Sequence, residues 1–183
     1  MKKRLLFFVS ILFITSITAF SQSFGLKGGL NVSNVVGDSK GVSSRTSFHV
    51  GLFYLAPLSE SVKIMPELIY SSQGASAGTT SVTYNYLNLP VMLNFHTSEK
   101  FFFQAGPQLG VLTSADLSNG TASVSVKDQL KDIDFALCFG LGGEFSKMII
   151  NARYNLGLTS TSKATNGSFP NSVIQFSVGF KFN

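Results

Sequence analysis

The chain has 183 residues, a formal net charge of +5, one cysteine, two histidines and 18 phenylalanines. Charged residues are 13% of it, about half the usual share; one cysteine excludes an internal disulfide framework, and two histidines with one cysteine give no metal-ligand spacing. Lys2, Lys3 and Arg4 carry three of the positive charges, and without them the balance falls to +2, which suggests no nucleic-acid partner.

The first predicted element is a leader over residues 1–21. Its basic start is followed by an apolar run from Leu5 to Phe20, and Ala19-Phe20-Ser21 places small residues at the two cleavage-determining positions. This is the pattern of a secretory signal peptide, cut before Gln22. The run falls short of the roughly 20 apolar residues that span a bilayer, and Ser10, Thr15, Ser16 and Thr18 interrupt it. No cysteine follows the cut, so a lipid anchor is not expected. Residues 22–183 are expected to form one domain, a size that suits a single closed fold.

From Phe24 onward the apolar period is two. Phe24, Leu26, Leu30 and Val32 alternate with Gly25, Lys27, Gly29 and Asn31 in the first strand. The second, about Ser47 to Leu58, has Phe48, Val50, Leu52, Tyr54, Ala56 and Leu58 on one face, with Phe53 and Leu55 blurring the other. The third, about Val62 to Ser72, opposes Val62, Ile64, Leu68 and Tyr70 to Lys63, Glu67 and Ser71. In the fourth, about Ser81 to Phe95, apolar parity moves from Val82, Tyr84 and Tyr86 to Leu87, Leu89, Val91, Leu93 and Phe95. A one-residue slip exchanges faces, so a β-bulge is expected near Tyr86 and Leu87.

The fifth strand, about Phe101 to Leu112, alternates Phe103, Ala105, Pro107, Leu109 and Val111 with Phe102, Gln104, Gly106, Gln108 and Gly110. The sixth sets Ile133, Phe135, Leu137, Phe139 and Leu141 against Asp132, Asp134, Ala136, Cys138, Gly140, Gly142 and Glu144. The seventh, about Met148 to Thr159, sets Met148, Ile150, Ala152, Tyr154, Leu156 and Leu158 against Asn151, Arg153, Asn155 and Gly157. The eighth sets Ile174, Phe176, Val178, Phe180 and Phe182 against Gln175, Ser177, Gly179 and Lys181.

Short gaps at about Ser59 to Ser61, His96 to Lys100 and Phe145 to Lys147 alternate with long ones at about Ser33 to Thr46, Gln73 to Thr80, Thr113 to Lys131 and Ser160 to Ser172. That asymmetry belongs to outer-membrane barrels, with short periplasmic turns and longer outside loops. The expected fold is all-β, an eight-stranded antiparallel up-and-down transmembrane β-barrel. Its Phe-rich face would meet lipid, and Lys27, Lys63, Glu67, Asp134, Arg153 and Lys181 would fall on the lumen face; a soluble barrel would have a wetter, more charged polar face. Pro66, Pro90 and Pro107 fall inside strands of a sheet with no free edge, so bulges or shorter strands are expected to absorb them.

Gly25 to Asn34 (GLKGGLNVSN), Pro66 to Gly74 (PELIYSSQG), Tyr86 to Asn94 (YLNLPVMLN), Gln104 to Leu112 (QAGPQLGVL), Ala152 to Leu158 (ARYNLGL) and the Phe-rich C-terminus resemble the porin-family outer-membrane β-barrel domain. The resemblance covers nearly all of residues 22–183. It implies a small barrel of OmpA/OmpX-like architecture in which proline at the positions of Pro66, Pro90 and Pro107 is commonplace. The last strand also resembles the signal read by the barrel-insertion machinery. Gln175, Phe180 and Phe182 match that signal, while Ser177 stands where glycine is usual and Asn183 follows the last aromatic.

Glu67 and Arg153 lie about five residues above short turns on lumen-facing parity, so an ion pair is expected that neutralises charges a nearly filled lumen could not leave alone. Lys27, Lys63, Asp134, Lys181, Gln104 and Gln108 are candidates for the same network, read as structural; gating or conduction is the competing reading. No catalytic, cofactor or metal site is expected. His49, placed near the rim beside Ser47, is the one plausible base, and the His with following Ser-Asn of lipid A deacylases is absent. The expected role is structural and surface-interacting, with outer-membrane lipid, the insertion machinery and an unidentified loop ligand as partners. A narrow channel is the alternative, and a lipid-modifying barrel enzyme a more distant one.

Overall fold

The computed structural model describes residues 22–35, 43–120, 122–160 and 170–182; the leader, and the central parts of the first and last long loops, lie outside them. Strands β1 (Ser23–Val35), β2 (Ser43–Pro57), β3 (Val62–Ala77), β4 (Thr80–His96) and β5 (Phe101–Ser118) are followed by a short strand β6 (Ser123–Ser125) and a 3-10 turn, Lys127–Gln129. The chain then completes β7 (Ile133–Phe145), β8 (Met148–Ser160) and β9 (Pro170–Lys181). Each long strand pairs antiparallel with its neighbours in space, β1 with β9 and β4 with β5 included, so eight strands close into a barrel and β6 is an appendage of β5.

Alternation sorts the side chains as the period-two pattern requires. Phe24, Leu26, Leu30, Phe48, Leu89, Phe103, Phe139, Phe176 and Phe180 are exposed on the outer wall, whereas Lys27, Asn31, Glu67, Gln104, Arg153 and Gln175 are buried inside. Phe24 packs on Phe182 at 6.0 Å and Phe101 edge-on to Phe145 at 6.2 Å, part of an aromatic band at the end that carries the short turns. β4 has 17 residues and β5 has 18, longer than the roughly 9–11 that cross a bilayer. The surplus rises at the opposite, loop end.

Inside, the turn end is crossed by an apolar layer of Phe53, Leu55, Met65, Met92, Phe102, Cys138 and Ile149, drawn from six strands. Glycines make room for it: a Cβ at Gly25 or Gly179, on the two remaining strands, would meet the Phe53 ring, and one at Gly142 of β7 the Phe102 ring. At the loop end Tyr86, Leu112, Ala115 and Leu130 cluster, with Tyr84 and Val126 packed against them. Polar side chains fill the space between.

Three expectations are revised. Residues Gln73 to Thr80 are not a loop: β3 and β4 pair without a break from Ile69↔Asn88 to Ala77↔Thr80, leaving Gly78 and Thr79 as a two-residue turn with Gly78 at φ 60, a conformation glycine adopts without strain. The β-branched and aromatic run from Thr80 to Tyr86 has the propensity to extend the ladder, and the small residues opposite follow it.

The expected bulge in the fourth strand is also absent, because β4 keeps one register against β3 throughout. Tyr84 and Tyr86 face inward, so the apolar parity change reflects an apolar patch of lumen. The irregularity lies in β5, where Asn85 pairs with Ser114 and Tyr86 with Leu112, leaving Thr113 over. Its hydroxyl donates to the Asn85 carbonyl at 2.8 Å.

The prolines, finally, need neither bulges nor shorter strands. Pairing lapses between Phe53↔Glu67 and Ala56↔Ile64 beside Pro66, between Pro66↔Val91 and Ile69↔Asn88 beside Pro90, and between Pro90↔Gln108 and Leu93↔Ala105 beside Pro107. The register is the same on both sides of each gap. A missing N–H therefore removes local pairs without slipping the strand.

Candidate functional site

The lumen gathers the chemistry of the chain into three groups. At mid-depth, β1, β3, β5 and β8 bring Lys27, Glu67, Gln104 and Arg153 together. Arg153 grips the Glu67 carboxylate with both terminal nitrogens, Nη1 to Oε2 at 2.8 Å and Nη2 to Oε1 at 2.9 Å. Lys27 Nζ donates to Oε1 at 3.0 Å, and Arg153 Nη2 also donates to Gln104 Oε1 at 2.9 Å. The side chains of Glu67 and Arg153 are fully buried and that of Lys27 nearly so. Two parallel charge-assisted bonds fix geometry as well as supply energy, and burial removes the screening that weakens surface pairs.

The second group lies at the turn end. Glu144 accepts from Lys63 Nζ at 2.8 Å and from Lys181 Nζ, with His96 Nε2 3.4 Å away. Lys63 and Lys181 therefore belong with Glu144, and the apolar layer separates them from Glu67. Asp134 belongs to neither group and accepts from the Thr159 hydroxyl. Gln108 likewise stays apart, its Oε1 3.8 Å from Cys138 Sγ.

The third group surrounds His49, which sits inside the barrel and not at the rim. Its ring crosses Gly29, where a Cβ would stand 2.9 Å from Cε1, and thereby reaches from β2 over β1 to β9. Nδ1 lies 2.8 Å from Asn31 Oδ1 and Nε2 2.8 Å from Ser177 Oγ. The Asn31 oxygen, which also takes a bond from Gln175 Nε2 at 3.0 Å, can only accept. Nδ1 thus carries the proton, and in the neutral ring Nε2 accepts from Ser177. Hydroxyl, imidazole and orienting amide stand in the order of a nucleophilic triad, but Ser177, His49 and Asn31 are 3%, 2% and 0% exposed. Asn31 Nδ2 is bound to Ser71 Oγ and to the Ser72 carbonyl, at 3.0 and 2.7 Å, so the group closes on itself.

Sequence reasoning did not find Asn31 and Ser177 as partners of His49, nor Glu144 as the hub of the turn-end cluster. The inward parity of Asn31 and Ser177, and the glycine at 29, were the available signals. Arg153 Nε, Gln104 Nε2 and the side-chain polar atoms of Asn151 and Asn155 are buried without a protein partner; polar sites of this kind are where ordered water is found. Among the described residues no group of three His, Cys, Asp or Glu could hold a metal ion.

Residues 20–163 match the family model described as outer membrane protein beta-barrel domain. Among solved structures, Ail, the attachment invasion locus protein of Yersinia pestis, is 15% identical with a TM-score of 0.56, over 89% of this chain and all of that one. Neisserial surface protein A is 11% identical with a TM-score of 0.62, over 88% of this chain and 99% of that one. At such identities the likeness is one of fold. No curated protein matches the chain.

Proposed function

The chain belongs to the family of outer membrane protein β-barrel domains, and from that premise we propose that it is a non-catalytic structural and surface-interaction protein. As a member of that family it is a β-barrel protein of the bacterial outer membrane. On this reading residues 1–21 are a signal peptide removed on export, the C-terminal strand is read by the barrel-insertion machinery, and the loop end meets the outside. Loops on a rigid scaffold are where partner contacts concentrate. The connection between β5 and β7, with β6 and its 3-10 turn, is the most built-up of them among the described residues. Ail, which has been solved with the heparin analogue sucrose octasulfate, is a precedent for a barrel of this size presenting a binding surface.

The observation that carries the structural reading is the filled lumen, with an apolar layer from six strands across its turn end and the Glu67 cluster above it. The competing reading, a narrow channel for ions or small solutes, draws on the unpartnered amides of Asn151 and Asn155. The enzyme reading draws on the His49–Ser177 geometry, but its burial leaves a substrate no approach. Planar-bilayer recording decides between the first two. The expected result is no discrete conductance steps from protein purified out of outer membranes, and reproducible steps would overturn the structural reading. The intact mass of the same preparation should correspond to a chain starting at Gln22.

A further inference from the structure

The outer wall is covered largely by large apolar side chains, and one gap in that cover crosses β9, β8, β7 and β5. Two ladder rows cross it side by side, Phe176–Ala152–Leu141 and Ile150–Gly143–Phe101. In each row a small residue stands between large ones. Ala152 forms the floor of an apolar groove of about 640 Å³, a size in the usual range of small-molecule sites, about 300–1,000 Å³, and the Phe145 ring laid over Gly143 is its lower wall. The second row ends at Phe101, which packs edge-on against Phe145 where the wall meets the short turns.

Two cations stand beneath this end of the groove. Lys100 directly precedes Phe101, and Lys147 lies two residues beyond Phe145. The Glu144 amide donates to the Lys100 carbonyl at 2.7 Å, so the two turns adjoin. Both lysines are exposed, and no ion pair engages either among the described residues. The acids nearby point elsewhere: Glu144 is held by Lys63 and Lys181, and Glu99 lines a separate recess with Glu60, Lys63 and His96.

We propose that the groove is a site for one anionic glycerophospholipid, with an acyl chain over Ala152 and against the Phe145 ring, and the phosphate on Lys100 and Lys147. The assignment deepens the outer-membrane reading and rests on the short turns facing the periplasm, which puts the lipid in the inner leaflet. The apolar floor supplies shape, and the paired lysines at headgroup depth supply the preference for negative charge.

Native mass spectrometry of the full barrel with added phosphatidylglycerol or phosphatidylcholine tests this. The wild type should retain a single phosphatidylglycerol in preference to phosphatidylcholine on the order of tenfold, as two lysines near a membrane surface allow. Lys100→Gln with Lys147→Gln should bring the two lipids to near parity, and Ala152→Leu should abolish retention of both while the gel-mobility shift of the folded barrel persists. No retained lipid, a preference that survives loss of both lysines, or a dimer that Ala152→Leu dissolves would overturn the proposal, the last by making a second copy the occupant. Orientation is checked separately with Ser146→Cys, since the native Cys138 is buried. Labelling by an impermeant reagent in intact cells would overturn the leaflet assignment alone, leaving the result on purified protein to stand by itself.

Discussion

Arg153 and Glu67, 86 residues apart in the chain, form a two-point contact at 2.8 and 2.9 Å inside the barrel, and Lys27 completes a triad with two positive charges and one negative. Removing the single anion leaves two facing cations buried away from bulk solvent. Glu67→Ala should therefore cost about 3–5 kcal/mol, the range for breaking a buried pair from one side. The measurement is the temperature at which the compact, unheated gel species is lost in detergent, and an unchanged midpoint would count against the network. Replacing Lys27, Glu67 and Arg153 together by apolar residues of similar volume should recover most of the loss, because the desolvation cost disappears with the charges.

The His49 ring ties β2 to β9 across β1, so its bond to Ser177 should be worth stability at the seam where the sheet closes. In a double-mutant cycle, His49→Ala and Ser177→Ala should show an interaction energy on the order of 1 kcal/mol. Strictly additive losses would indicate that the two side chains pack independently.

Thr113 is the extra residue of the β5 bulge, and its removal leaves the facing of Leu112 and Ala115 as it is while making the ladder with β4 regular. Deleting Thr113 should be tolerated, at the cost of its bond to the Asn85 carbonyl. Deleting Val111 should be far more damaging, because it turns Leu112 out of the loop-end cluster and Thr113 into it. The heat-modified gel shift of the two deletions provides the comparison, and equal behaviour would contradict the register.

Much of this fold is legible because lipid and lumen impose opposite demands on alternate residues. β1, β7 and β9 read cleanly since their outward positions are large and apolar and their inward ones are small or polar. The reading failed where the lumen itself is apolar: Tyr84 and Tyr86 imitate an outward face because they pack on Leu112 and Ala115. It failed again over Gln73 to Thr80, where turn-forming composition yielded to the propensity of the opposing strand. The shared depth of Glu67 and Arg153 could be read from their equal distance to the turns. The grouping of Lys63 and Lys181 around Glu144 could not, since depth depends on stagger between strands, which no single strand encodes. His49 was misplaced for the same reason: its reach over Gly29 is set by a neighbouring strand.

The apportioning of the Glu67 cluster among β1, β3, β5 and β8 bears on how the barrel is assembled. A sheet lacking its last strands would show lipid on both sides, and one of those sides carries Lys27 and Glu67. A charge at the bilayer centre costs about 2.5–3.5 kcal/mol by insertion scales. An open sheet in the bilayer is thus penalised by its own inner face, and curling until β9 meets β1 is the way to hide it. The N-terminal acid finds its guanidinium only when the C-terminal third arrives. The polar filling that the finished barrel encloses is also what makes an unfinished one unwelcome in the membrane.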